Sequence, residues 1–105
     1  MRAAVEWLER RRVGAPPDLF DRVRFWLESV DRTTDREEVP VAEALARAGR
    51  AALEQVTGSE GSRAAAMDLL AADALVTFAM EACAETAPES LAWFARTVRL
   101  PPGPA

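Results

Sequence analysis

Histidine, lysine and tyrosine are all missing from this sequence of 105 residues, and cysteine occurs once. Each absence removes a chemistry. Without histidine the usual general base at neutral pH is gone, and without lysine and tyrosine so are the Schiff-base amine and the phenol acid. One cysteine excludes an internal disulfide and any cysteine-built zinc site. A di-iron bundle built on Glu-x-x-His pairs is excluded by the same lack of histidine. What remains for chemistry is a set of carboxylates, arginines, hydroxyls and Cys83, so no catalytic residue is expected.

Positive charge is also scarce. All thirteen cations are arginine, and the formal net charge is −4. Mild acidity gives no general attraction to phosphate backbones or anionic lipids, which argues against a nucleic-acid or membrane partner. The one compact basic run, Arg10 to Arg12, is flanked by Glu6 and Glu9. No recognition helix of basic character stands out, which disfavours a DNA-bound regulator. The stretch nearest to a membrane span, Ala64 to Ala84, is broken by Asp68, Asp73 and Glu81 at considerable cost in hydrocarbon. Met1 to Arg12 mixes acids and arginines into its apolar residues and lacks a signal-peptide layout. The expectation is a soluble, cytoplasmic protein.

Half the residues are apolar, which suits a folded chain, and the length suits one core. Apolar residues recur at three- and four-residue spacing throughout, with no sustained alternation that would signal a strand. This spacing implies an all-α fold class, a small helical bundle of about five helices at 2–12, 18–31, 40–56, 63–85 and 87–99. Residues 1–100 form a single helical domain, and the proline-rich residues 101–105 form an extended tail. Ala15-Pro16-Pro17 is a stiff connector after the first helix. Thr34 with Glu37, or Asp35 with Glu38, has capping-box spacing ahead of Pro40, and Thr86 with Glu89 has the same spacing ahead of the fifth helix. Gly58 is placed to end the third helix, and Ser59 or Ser62 to cap the fourth. Gly49, on the apolar side of the third helix, predicts a close crossing with a neighbour.

The fourth helix, from Arg63 to Glu85, is expected to be central. Ala71, Leu75 and Phe78 turn toward one neighbour, and Leu69, Val76, Met80 and Cys83 toward another. Whether it is central in a monomer or in a dimer is open at this level. Cys83 on that side is expected to be an inert packing residue, since free cysteine is among the most buried residue types and no histidine exists to activate it. Asp68 falls inside the apolar arc and needs a cationic partner, for which Arg47 or Arg50 of the third helix is in reach.

Two kinds of candidate site emerge. Phe25 projects from the polar side of the second helix, Trp93 and Leu100 lie off the apolar face of the fifth, and Trp7 is off-centre on the first. Large apolar side chains outside the core-facing stripe suit an interface, and tryptophan is enriched there. These residues predict a protein–protein interaction or assembly module, and a homo-oligomer in particular. The second candidate is Glu6-Trp7-Leu8-Glu9 followed by Glu28-Ser29-Val30-Asp31. A Glu-x-x-Glu helix facing a Glu-x-x-Asp helix resembles the magnesium site of the all-α nucleoside triphosphate pyrophosphohydrolases of the MazG type. The resemblance rests on these eight positions alone. It implies Mg2+ as a cofactor, held by Glu6, Glu9, Glu28 and Asp31 and gripping a triphosphate. Ala72 to Glu81 is similar to one interior helix of polyprenyl diphosphate synthases, whose aspartate-rich motifs are absent here.

Overall fold

The chain starts helical at its second residue because Ala3, Ala4 and Leu8 favour the helix and place an apolar stripe on one side. A computed structural model describes residues 2–33, 39–58 and 61–97. Its elements are α1 (Arg2–Glu9), α2 (Pro17–Thr33), α3 (Val41–Thr57), α4 (Arg63–Thr86) and α5 (Leu91–Thr97), with 3-10 turns at Arg12–Gly14 and Pro88–Ser90. There is no strand among the described residues. The protein is an all-α bundle.

α1 is shorter than its periodicity predicts. It breaks at Glu9, and Arg12–Gly14 tightens into a 3-10 turn that leads to the Pro16-Pro17 entry of α2. The first residue of α2 is Pro17, where a missing N–H costs nothing. Ser62 caps α4: its Oγ accepts from the Ala65 amide at 3.0 Å. Thr86 does not cap the fifth helix. It is the last residue of α4, and its hydroxyl donates to the Ala82 carbonyl at 2.9 Å, so the expected capping box gives way to a 3-10 turn. The Thr34 and Asp35 capping boxes, Ser59 and the 101–105 tail lie outside the described residues.

α3 and α4 form the antiparallel hairpin at the centre of the fold, and α2 packs against both. Gly49 makes their crossing close. A Cβ there would meet Val76 Cγ2 at 3.1 Å and Leu75 Cβ at 3.2 Å, with the Ala72 carbonyl oxygen at 3.4 Å. Alanines 44, 48, 52, 71, 72 and 79 are buried as well. The small side chains let these two backbones approach, which is why an alanine-rich sequence still closes a dense core. Leu45 and Leu75 fill the middle, Phe20, Val23 and Leu27 come from α2, Leu8 from α1, and Phe94 from α5.

α4 is central in the monomer: it meets α2, α3 and α5, and α1 reaches it through Trp7. Not every expected contact forms along it. Ala71, Leu75 and Cys83 are buried, but Leu69 is 49% exposed. The Gly49 contact holds the helices together near Ala72 to Val76; nearer the start of α4, Leu69 borders an open groove. Among the described residues no helix is long and apolar enough to cross a membrane.

Candidate interaction surface

Three polar clusters tie the helices together, and they decide which of the expected site residues are free for a partner. The first centres on Asp68, the buried charged residue of α4, at 3% exposure. Arg22 on α2 grips it with both ends of the guanidinium: Nε donates to Oδ1, and Nη2 to Oδ2 at 3.0 Å. Trp26 Nε1 donates to the same Oδ1 at 2.9 Å. Desolvation opposes the charged carboxylate, but the hydrogen bonds from Arg22, with help from Trp26, hold its pKa below the usual carboxylate value. Arg22 is correspondingly raised. The expected partners Arg47 and Arg50 are corrected here. Both point along the outer side of α3, where Arg47 pairs with Glu43 at 2.9 Å and Arg50 lies 3.7 Å from Glu54. Bonds four residues apart within one helix require no neighbour.

Phe25 forms an outer cover to this cluster. The Arg22 guanidinium lies 4.7 Å from the Phe25 ring centre, and the Trp26 ring meets Phe25 edge-on at 5.3 Å. Phe25 is nevertheless 44% exposed. It presents an aromatic face backed by a fixed cation, a geometry suited to contact with another apolar surface.

The second cluster takes Trp7 out of the candidate interface. Trp7 is 6% exposed. Its ring packs edge-on against Phe78 at 5.8 Å, its Nε1 donates to Glu85 at 3.0 Å, and Arg11 lies 3.4 Å above the ring centre. Arg11 also pairs with Glu85 at 2.8 Å and Glu81 at 3.3 Å. A tryptophan that is off-centre on a single short helix is thus covered by another helix, α4.

The third cluster concerns the proposed magnesium ligands. Glu9 on α1 and Glu28 on α2 do converge, but on Arg24: its Nη1 donates to Glu9, and its Nε to Glu28 at 2.7 Å. Arg12 adds a bond to Glu9 at 3.1 Å. Arg12 first, then Arg24, hold the Glu9 carboxyl below its ordinary pKa. Glu6 is exposed. Leu100 and the side chain of Asp31 lie outside the described residues. Among the described residues no three histidine, cysteine, aspartate or glutamate side chains gather in a way that would hold a metal ion.

Of the remaining apolar surface, Trp93 is expected from its place on the fifth helix, whereas Leu69 and Leu70 are not among the expected interface residues. Leu69 and Leu70 on α4 are 49% and 54% exposed, and Trp93 on α5 is 60% exposed. Beside Leu69 an open groove of about 420 Å³ runs between the end of α3 and the start of α4, lined by Val56, Ser62, Ala65 and Ala66 among others. The signal for Leu70 was its place at the polar edge of α4, next to Asp73.

Fold and surface together define a small all-α bundle whose described polar clusters are internally paired and which keeps several large apolar side chains exposed. No protein-family model, no curated protein and no solved structure matches this chain.

Proposed function

We propose that this protein is a small soluble helical interaction or assembly module that associates with itself. The supporting observation is the apolar side chains left outside the core: Phe25, Leu69, Leu70 and Trp93 all remain 44% exposed or more. Leu69 lines an apolar groove and Leu70 adjoins it in sequence, and apolar surface gathered at one place marks a binding site, whereas single exposed side chains do not. The polar clusters support the same reading. Asp68, Glu9, Glu28, Glu81 and Glu85 are each matched by an arginine of the chain itself, and most of these pairs act as staples between helices. We place the protein in the cytoplasm, where a single buried, unpaired Cys83 suits a reducing environment.

Light scattering across a concentration range tests this function. A mass that rises with concentration toward a defined oligomer supports it. A strict monomer at every concentration, with no protein partner retained from a lysate, overturns it.

A further inference from the structure

The outward side of α4 has a pattern that matches its own reverse. Arg63, Ala66, Leu70, Asp73 and Thr77 are all exposed, and they are spaced three, four, three and four residues apart. That is the spacing of a coiled-coil seam, in which positions three and four apart line one contact stripe. The first four read cation, small, large, anion. A second copy laid antiparallel brings Arg63 opposite Asp73, and Ala66 opposite Leu70, at each end of a two-fold axis. The charges then meet as opposites and the side-chain sizes as complements. Self-complementarity of this kind is what an isologous two-fold interface requires.

The groove adds an independent observation. It is lined by Ala66 together with Val56, Ala65 and Leu69. In the antiparallel pairing Ala66 is the residue that faces Leu70 of the second copy. Leu70 thus has an apolar recess opposite it, between the end of α3 and the start of α4. Arg63 at one edge of the groove and Asp73 beyond Leu70 flank this contact, about 15 Å apart along the helix at 1.5 Å per residue.

We propose that two copies of this chain pair antiparallel along the α4 stripe, with Leu70 of each in the Val56–Ala66–Leu69 groove of the other and Arg63–Asp73 ion pairs at both ends. This rests on the self-association reading and names its surface. The partner is a second copy because the stripe supplies both halves of each contact.

Sedimentation of the full chain over a range of concentrations, with charge-reversal variants, tests the pairing. Arg63→Glu and Asp73→Arg each place like charges opposite one another twice, and each is expected to weaken the dimer about tenfold, the equivalent of about 1.4 kcal/mol. Combining them restores opposite charges, and the double variant is expected to return close to the original affinity. Leu70→Glu is expected to give a monomer with unchanged helicity by circular dichroism, since Leu70 is exposed in the single chain. A dimer indifferent to all four variants overturns this pairing and leaves self-association standing through another surface. A chain that is monomeric throughout overturns both.

Discussion

Arg22 and Asp68 meet across the α2–α4 interface as a bidentate pair in which the carboxylate is buried and the guanidinium is about a third exposed, with side-chain exposures of 5% and 34%. This asymmetry makes the two partners unequal. Arg22→Met strands a buried carboxylate and is expected to cost about 3 kcal/mol, in the range for breaking a buried pair from one side. Asp68→Asn leaves an arginine that can turn to water, and an amide oxygen that still accepts from Trp26. Its expected cost is smaller, about 2 kcal/mol. Chemical denaturation of both single variants and the double variant checks the order; equal losses would contradict it.

The same pair sets a pH dependence. A carboxyl whose folded pKa lies below its unfolded one contributes stability that is complete above the unfolded value and drains away as the pH falls through the folded one. Asp68 is lowered in this way from its ordinary 3.8. The protein is therefore expected to lose stability on acidification below about that value, and Asp68→Asn to flatten that part of the profile. Arg22→Met removes the cation and leaves desolvation as the main influence, which raises the Asp68 pKa and reverses the trend. Melting temperatures measured as a function of pH read both effects.

Gly49→Ala tests the helix crossing. Alanine is the better helix former by about 1 kcal/mol, so an open site would gain stability. Here the new methyl meets Leu75 Cβ at 3.2 Å, an atom fixed to the α4 backbone, and Val76 Cγ2 at 3.1 Å. The helices must separate to admit it. The expected outcome is a net loss, deeper for Gly49→Val, in thermal or urea unfolding; a more stable Gly49→Ala would mean that the crossing has slack.

To bind Glu9 and Glu28, Mg2+ would have to displace Arg24 from both carboxylates. A ligand present at a hundred times its dissociation constant adds about 2.7 kcal/mol to folding stability, an easily visible rise in melting temperature. Because Arg24 already bonds Glu9 and Glu28, no such rise is expected when Mg2+ is added to the chelator-treated protein. A rise that disappears in Glu9→Gln and Glu28→Gln would support the pyrophosphohydrolase resemblance instead.

The helices were legible because apolar spacing, prolines and glycines are local signals. Pro17 starts α2 and Ser62 caps α4 within a few residues of where those signals lie. Gly49 announced a close crossing because a glycine on a buried face has few other uses. Asp68 announced a partner because it interrupts an apolar arc. Its partner's identity was not legible: Arg22, Arg47 and Arg50 are equivalent in a string of residues, and only the packing of α2 on α4 separates them. Trp7 failed for a related reason. Its place on α1 looks peripheral until Phe78 and Glu85 arrive from the far end of the chain. Leu69 and Leu70 show the converse, since only the packing of α2 and α3 on α4 decides which of its apolar side chains stay uncovered.

The hydrogen bond from Trp7 to Glu85 joins residues 78 apart in sequence, whereas the α3–α4 hairpin closes through the short 58–62 link. Closing a long loop is entropically dearer than closing a short one, and long-range contacts are slow to gain from it. The hairpin can therefore assemble from local contacts, while α1, which packs on α3 and α2 and reaches α4 through Trp7, completes its contacts only after that hairpin is in place. In hydrogen exchange α1 is expected to behave as a separate, weaker unit, whose amides open with Trp7 and Arg11 while those around Gly49 and Leu75 wait for global unfolding. The fold is thus graded along its length, with its most local pairing the last to let go.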